Sequence, residues 1–388
     1  MIVDRAWAKR NLGFDPIAAP PPPETFANAK AAAPSAKIDD IEREIIDFDS
    51  EAPAGREFLA FSTATGLSRF SDIPWPRNLA PKTGPRPGGP DSSPLPKADA
   101  LVVTWTVDEG HALSRVLTPG KDSHNDYKNY THNYAKISRK MTGRAPAIEA
   151  KRLGAYWTTT IGGKKVVVFK SDSHLSQDTR KIPAAGGTFP NQDVWLQIIS
   201  EVNPKVVITT GTAGGIGTQF EVGDVVVSPI VTFDCEKWLK REPFHSVAFR
   251  GSTPNTRYFA TAKKLFKANS DQLPKDNKRP PKIVQSRALT SGVLTTDFFG
   301  FDTSDDHYGL KNLGDVSEMG DAMLGLVAQQ LGTSAPRWLA VRNVSDPQIK
   351  AEGTLQQQAA LAAQIYKAFG RWSSVCSAIV CWAIIAAE

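Results

Sequence analysis

Two carboxylates follow apolar, strand-like segments and could carry acid–base chemistry. Asp346 ends the segment WLAVRNVSD, and Glu109 stands two residues after ADALVVTWTV. A carboxyl group at the edge of an apolar core loses hydration, which raises its pKa and lets it hold a proton near neutral pH. Asp346 is therefore a candidate general acid, with a turn cap before Pro347 as the alternative. Glu109 or its neighbour Asp108 is a candidate general base, with helix capping as the alternative.

A glycine-rich stretch, VVITTGTAGGIG at 206–217, raises the question of a phosphate-binding turn. A dinucleotide-binding turn has the spacing G-x-G-x-x-G, opens a helix and precedes an acidic residue by about 20 positions. Here the glycines stand at 211, 214, 215 and 217, and TQFEVGDVVVS, typical of another strand, follows. The stretch is not predicted to bind a dinucleotide, and taken alone it predicts a turn.

Strands and helices that would position these residues alternate from Ala98 onward. Strand patterns occupy 98–107, 155–171 with a Gly-Gly hairpin turn, 205–211, 223–233, 283–292 and 337–345. Helical spacing occupies 109–117, 191–202 with Asn191 as cap, 256–269, 317–332 and about Thr354 to the end. This alternation predicts an α/β domain over 98–388.

Residues 1–97 form a Pro-rich N-terminal extension that we expect to be largely irregular, because proline removes backbone donors. Within it IDDIEREIIDF has helical spacing, and Trp75 either docks on the main domain or lies in an exposed linker. The apolar run SAIVCWAIIAA is shorter than the roughly 20 residues a membrane span needs, so it predicts a buried helix face. A cytoplasmic protein is expected, since the amino end lacks the apolar stretch of a secretory signal.

The composition excludes few functions. Among 388 residues the formal net charge is +6, and no Lys- or Arg-rich run suggests a nucleic-acid partner. Three cysteines, at 235, 376 and 381, have neither metal-ligand spacing nor the pattern of a disulfide framework. The charge remains compatible with an anionic small substrate.

Four motifs occur in one order: TTGTAGGIGTQFEVGDVVVS, SGVLTTDFFGF, SEMGDAML and VRNVSDPQ. Together they resemble the purine nucleoside phosphorylase and nucleosidase superfamily, over 98–388. The resemblance implies a three-layer α/β/α sandwich around a mixed central sheet and a small-molecule purine nucleoside or nucleotide as substrate. It also implies a homo-oligomer and a reaction without metal or organic cofactor.

The resemblance assigns roles to single residues. Asp346 matches the aspartate that contacts the purine N7, and Glu109 matches the place where the hydrolytic branch has a water-activating glutamate. Phe299 matches the base-stacking aromatic, although Phe298 or Phe301 could take that place and any of the three could instead belong to the core. In the glycine-rich loop that starts at Gly211, Thr212 matches a serine or threonine near the nucleophile; a hydroxyl that caps its own backbone is the alternative.

Sugar recognition departs from the family pattern. Glu318 matches the first glutamate of E-M-E, and Met319 matches the residue beneath the sugar. Gly320 stands where the second glutamate grips the ribose hydroxyls, so that Asp321 or Glu318 takes over that contact or the sugar is held differently.

Hydrolysis is favoured over phosphorolysis. Bacterial phosphorylases carry an arginine before the glycine-rich loop, where this chain has Thr209 and Thr210. The sequence thus predicts a purine nucleosidase. The alternatives are a nucleotide (AMP or ATP) N-glycosidase whose basic segment 118–152 holds phosphate, a phosphate-dependent phosphorylase, and a catalytically idle purine-binding or scaffold protein.

Overall fold

A computed structural model describes residues 1–13, 72–143, 145–178 and 189–388, and its centre is one mixed sheet. The strands of the described residues are β1 Lys82–Thr83, β2 Ala100–Thr104, β3 Lys128–Tyr130, β4 Gly154–Ile161, β5 Lys164–Ser171, β6 Val206–Gly215, β7 Val225–Ser228, β8 Ile230–Asp234, β9 Ala248–Arg250, β10 Ile283–Gln285, β11 Val293–Thr296, β12 Val316–Glu318 and β13 Arg337–Asp346. Strand β2 lies parallel between β5 and β6, and β13 lies parallel to β6 on its other side. Strands β4 and β12 are antiparallel to their neighbours β5 and β6.

Helices cover both faces of this sheet. They are α1 Arg5–Leu12, α2 Val107–Leu117, α3 Tyr134–Ile137, α4 Pro146–Glu149, α5 Leu175–Asp178, α6 Pro190–Val202, α7 Phe259–Leu265, α8 Asp321–Leu331 and α9 Leu355–Ala387, with 3-10 turns at Ser138–Lys140, Phe266–Gln272, Leu289–Ser291 and Gly332–Ser334. Because side chains alternate along a strand, Leu101 and Val103 of β2 pack in the core with α6 and α8. Val102 packs in the opposite core, with α2, α7 and α9. The predicted three-layer α/β/α architecture is confirmed.

The last helix, α9, fills the second of these cores. Thr354 begins it with a capping box, in which its side chain accepts from the Gln357 backbone and the Gln357 side chain accepts in return. By length and composition alone this 33-residue helix could cross a membrane, with a mean hydropathy of 1.4 in its most apolar window. Since 89% of that window is buried inside the fold, the helix packs as a core element of the protein.

Parts of the Pro-rich region dock on α9. Trp7 of α1 is buried, with its ring 6.3 Å from that of Phe369. Trp75 lies 4.8 Å from the Trp382 ring, and the Trp382 indole donates to the Leu79 carbonyl at 2.6 Å. The helix expected at IDDIEREIIDF lies outside the described residues.

Local corrections to the sequence interpretation have physical causes. Asn191 is not a helix cap, because Pro190 occupies the first turn of α6 and the Asn191 amide donates to the Ser173 carbonyl at 3.1 Å. The strand expected over 283–292 ends at Gln285, since the Ser291 hydroxyl accepts from two backbone N–H groups and closes a turn.

Candidate active site

The glycine-rich stretch is the end of a strand. Residues 211–215 lie in β6, which pairs with β13 from Val206 through Gly214, so the turn predicted from the glycines alone is wrong. Glycine is required there because carboxylates lie against the backbone. A Cβ on Gly211 would lie 2.5 Å from Cδ of Glu109, and one on Gly214 would lie 3.0 Å from Oδ2 of Asp346. Because these positions are glycines, the carboxyl groups of both candidate catalytic residues can lie against the same strand, β6.

Glu109 is held in place by donors from β6 and from the end of β2. As the third residue of α2 it forms a capping box with Thr106. Its Oε1 accepts from the backbone N–H and the hydroxyl of Thr212, both at 2.7 Å. Its Oε2 accepts from the Thr104 hydroxyl at 2.8 Å and from the Trp105 and Thr106 N–H groups at 3.1 and 3.0 Å.

The charge state of Glu109 follows from these contacts. The residue is only 3% exposed, and burial opposes its ionisation. The Arg342 charge and the backbone donors of Thr212 and Thr106 outweigh burial and lower the pKa of Glu109. Glu109 is thus a carboxylate at neutral pH. The rival Asp108 is half-buried, and desolvation raises its pKa.

Asp346 has the opposite environment. It follows an irregularity in the β13 register after Val344, a feature that redirects a side chain at the end of a strand. The residue is 6% exposed, and the Ser345 hydroxyl donates to its Oδ1 at 2.7 Å. Burial raises the pKa of Asp346 to about 7, although the Ser345 hydrogen bond works against this. Asp346 can therefore hold a proton near neutral pH.

The loop after β11 reaches the same strand. The Ser317 hydroxyl donates to the Gly300 carbonyl at 2.8 Å, and both groups lie within 3.6 Å of a Cβ placed on Gly214. Phe299, next to Gly300, is half-buried, with its ring 5.7 Å from that of Phe301. The loop with the predicted stacking aromatic, the glycine strand and Asp346 thus meet around Gly214.

Arg342 is a buried cation that the sequence interpretation missed. Its guanidinium forms a two-point pair with Asp321, in which Nε donates to Oδ2 at 2.8 Å, and it lies 3.0 Å from Oε2 of Glu318. It stacks 4.9 Å from the Trp105 ring. Burial works against the charge, but the two carboxylates outweigh it and raise the pKa of Arg342. A charged residue within the apolar pattern WLAVRNVS was the available signal.

The acids of the segment SEMGDAML lie at the end of β12 and the start of α8. Glu318 is the last residue of β12, not part of a helix, and its carboxylate accepts from the N–H groups of Gly320 and Asp321. Burial, then the neighbouring Asp321 charge, raises the pKa of Glu318. A Cβ on Gly320 would meet the Trp105 ring at 3.5 Å. Met319 is half-buried. Arg342 therefore pairs with the carboxylate of Asp321, one of the two acids considered for the contact with the ribose hydroxyls.

The basic segment 118–152 ends beside β5. Arg152 Nε donates to Asp172 at 2.7 Å, and Lys170 donates to the other Asp172 oxygen. His174 lies near Lys170; burial, with the Lys170 charge adding to it, lowers the pKa of His174 to about 4. Within the described ranges, no three His, Cys, Asp or Glu side chains are grouped so that they could hold a metal ion.

Comparisons with known proteins give one family model and a set of similar solved structures. A family model described as Phosphorylase superfamily matches residues 131–385. Similar solved structures include 5′-methylthioadenosine/S-adenosylhomocysteine nucleosidase from Neisseria meningitidis, at 16% identity and a TM-score of 0.46, covering 75% of this chain and 100% of that one. Futalosine hydrolase of Helicobacter pylori has 12% identity and a TM-score of 0.45, with 74% and 96% covered. No curated protein matches the chain.

Proposed function

The chain belongs to the phosphorylase superfamily, and on this premise we propose that it is a nucleosidase that hydrolyses the N-glycosidic bond of a purine substrate. Cleavage of this bond leaves negative charge on the base and positive charge on the sugar. Asp346 donates a proton to the departing base, and the carboxylate of Glu109 faces the positive charge of the sugar. Phe299 stacks on the purine, and Met319 lies beneath the sugar.

The observation that carries this proposal is the buried Asp346 carboxyl beside Gly214. Its pKa of about 7 gives it a proton to donate at neutral pH, and its place next to the aromatic loop suits contact with a stacked base. A carboxyl of ordinary pKa would be ionised and could only accept hydrogen bonds.

Glu109 and Thr212 act on the attacking water molecule in this proposal. The Thr212 hydroxyl is a donor that can rotate away from Glu109 Oε1 and leave room for a water molecule. Glu109 is a weak base, because its pKa is lowered. A weak base suffices, since a water molecule that bonds to a cationic sugar carbon becomes strongly acidic. Glu109 therefore takes the proton late in the reaction.

The sugar contact expected of Glu318 or Asp321 takes a different form in this proposal. Arg342 holds both acids and the pKa of Glu318 is raised, so the cluster carries at most one net negative charge, which acts on the sugar through space. The two acids thus support the cationic sugar without gripping its hydroxyls.

Release of free base from adenosine and inosine, with and without phosphate, tests the proposal. We expect base release in phosphate-free buffer and a loss of at least about 100-fold in kcat for Asp346→Asn. Asp315→Asn is the matched control, because burial also raises the pKa of Asp315, to about 6, outside the site. Base release that requires phosphate would identify a phosphorylase. Purine binding without turnover of any substrate would identify an idle binding protein.

A further inference from the structure

Asp172 lies between two cations just beyond the end of β5. Lys170 and Arg152 each donate to one of its oxygens. The Lys170 and Arg152 side chains are only 10% and 18% exposed, and that of Asp172 is 4% exposed. Among the described side chains that pair in this cluster, one carboxylate faces two largely buried positive charges, which leaves one positive charge in excess.

The two cations also have donors to spare. A lysine ammonium has three N–H donors and an arginine guanidinium has five. Lys170 uses one of them on Asp172, whereas Arg152 uses Nε on Asp172 and one further group on Asn129, at 2.6 Å. Asp122, another acidic side chain near this cluster, is paired with His111 at 2.6 Å. Excess positive charge with unused donors in a largely dry place favours a bound anion.

The sheet places this cluster in line with the proposed active site. Lys170 pairs with Thr104, whose hydroxyl donates to Glu109. The strand order β5, β2, β6, β13 then leads to Asp346, which lies three strand spacings or about 14 Å to the side and also further along the strands, since it pairs with Gly214 of β6 whereas Val103 of β2 pairs with Thr209. Glu109 lies between the two ends. With the base at Asp346 and the sugar at Glu109, Lys170 and Arg152 lie on the side of the sugar away from the base. There they can contact a substituent of the sugar.

We propose that Lys170 and Arg152 bind a phosphate group carried by the sugar, so that the substrate is a purine nucleotide. The inference rests on the proposed nucleosidase function for the place of base and sugar. A guanidinium matches two phosphate oxygens at once, and an ammonium adds a mobile point charge. Asp172 is a positioning residue, because it fixes both cations without using all their donors.

Comparison of adenosine, AMP and ATP as substrates tests this inference. We expect the wild-type protein to have a higher kcat/KM for a nucleotide than for adenosine, and this preference to weaken with added salt. Arg152→Gln and Lys170→Met should each lower the nucleotide-to-nucleoside ratio of kcat/KM about tenfold or more. Lys205→Gln is the control, since this side chain is 78% exposed on the surface.

Binding of ribose 5-phosphate, measured by calorimetry, separates this inference from the proposed function. Binding by the wild type that weakens about tenfold in Arg152→Gln supports the phosphate site even when no base is released. Turnover of adenosine with no preference for AMP or ATP, or ribose 5-phosphate affinity equal in the wild type and Arg152→Gln, would overturn the phosphate site. Circular dichroism shows whether Lys170→Met is folded; if it is not, Arg152→Gln decides.

Discussion

Asp346→Asn replaces a buried carboxyl with a neutral side chain of the same shape, and its stability should depend on pH differently from the wild type. Burial raises the pKa of Asp346 from 3.8 to about 7. Between these values the folded protein keeps a proton that the unfolded chain releases. The wild-type free energy of unfolding therefore falls as pH rises from about 4 to about 7, and this loss levels off above the folded pKa.

The magnitude follows from the size of the shift. Each pKa unit corresponds to about 1.4 kcal/mol, so a shift of about three units costs the wild type about 4 kcal/mol above pH 7. Between pH 5 and pH 8 the carboxyl accounts for about two of these units, or about 3 kcal/mol. The asparagine variant lacks this cost. We expect its free energy of unfolding to gain about 3 kcal/mol relative to the wild type over that interval.

Urea unfolding of both proteins at pH 5 and pH 8 measures this difference, because the effects of all other groups cancel between them. Asp72→Asn, at a fully exposed side chain, is the control. In parallel, wild-type kcat should fall about tenfold for each pH unit above 7, as the acid loses its proton. A difference between variant and wild type that is the same at both pH values would refute the raised pKa and, with it, the acid role of Asp346.

Two further substitutions probe the rest of the site. Gly211→Ala places a methyl group against the Glu109 carboxylate, so we expect turnover to fall at least about tenfold, while Gly88→Ala, where a Cβ meets nothing within 4 Å, keeps wild-type turnover. Equal turnover in both alanine variants would show that Glu109 is free to move. Arg342→Met leaves Asp321 buried without its counter-ion and should lower the free energy of unfolding by about 3–5 kcal/mol in urea titrations. A loss below about 1 kcal/mol would contradict the pairing.

The sequence pointed to Asp346 and Glu109 because each follows an apolar, strand-like segment. In the structure each of these carboxyl groups lies against a glycine of β6, Glu109 at Gly211 and Asp346 at Gly214. The glycine stretch was harder, because residues without side chains show no alternation along a strand. Only the approach of carboxylates to Gly211 and Gly214 reveals why the chain needs glycine there.

The pairing of the buried charges could not be predicted from any local sequence pattern. Arg342 stands in an apolar strand, and its partners Glu318 and Asp321 come from a segment more than 20 residues earlier in the sequence. Their pairing depends on β12 and β13 both packing beside β6, which no periodicity indicates. Position 320 illustrates the same limit, since only the fold shows that Trp105 fills the space beside this glycine.

The described segments on either side of residues 14–71 both pack against helix α9. Trp7 contacts α9 at Phe369, and Trp75 contacts it at Trp382, thirteen residues or about 20 Å further along. Truncation of the carboxyl end therefore affects the packing of the amino-terminal region. A stop codon ahead of Trp382 would remove the ring that Trp75 packs against and the indole that donates to the Leu79 carbonyl. Tags or fusions at the carboxyl end should accordingly be judged by whether that indole stays in place.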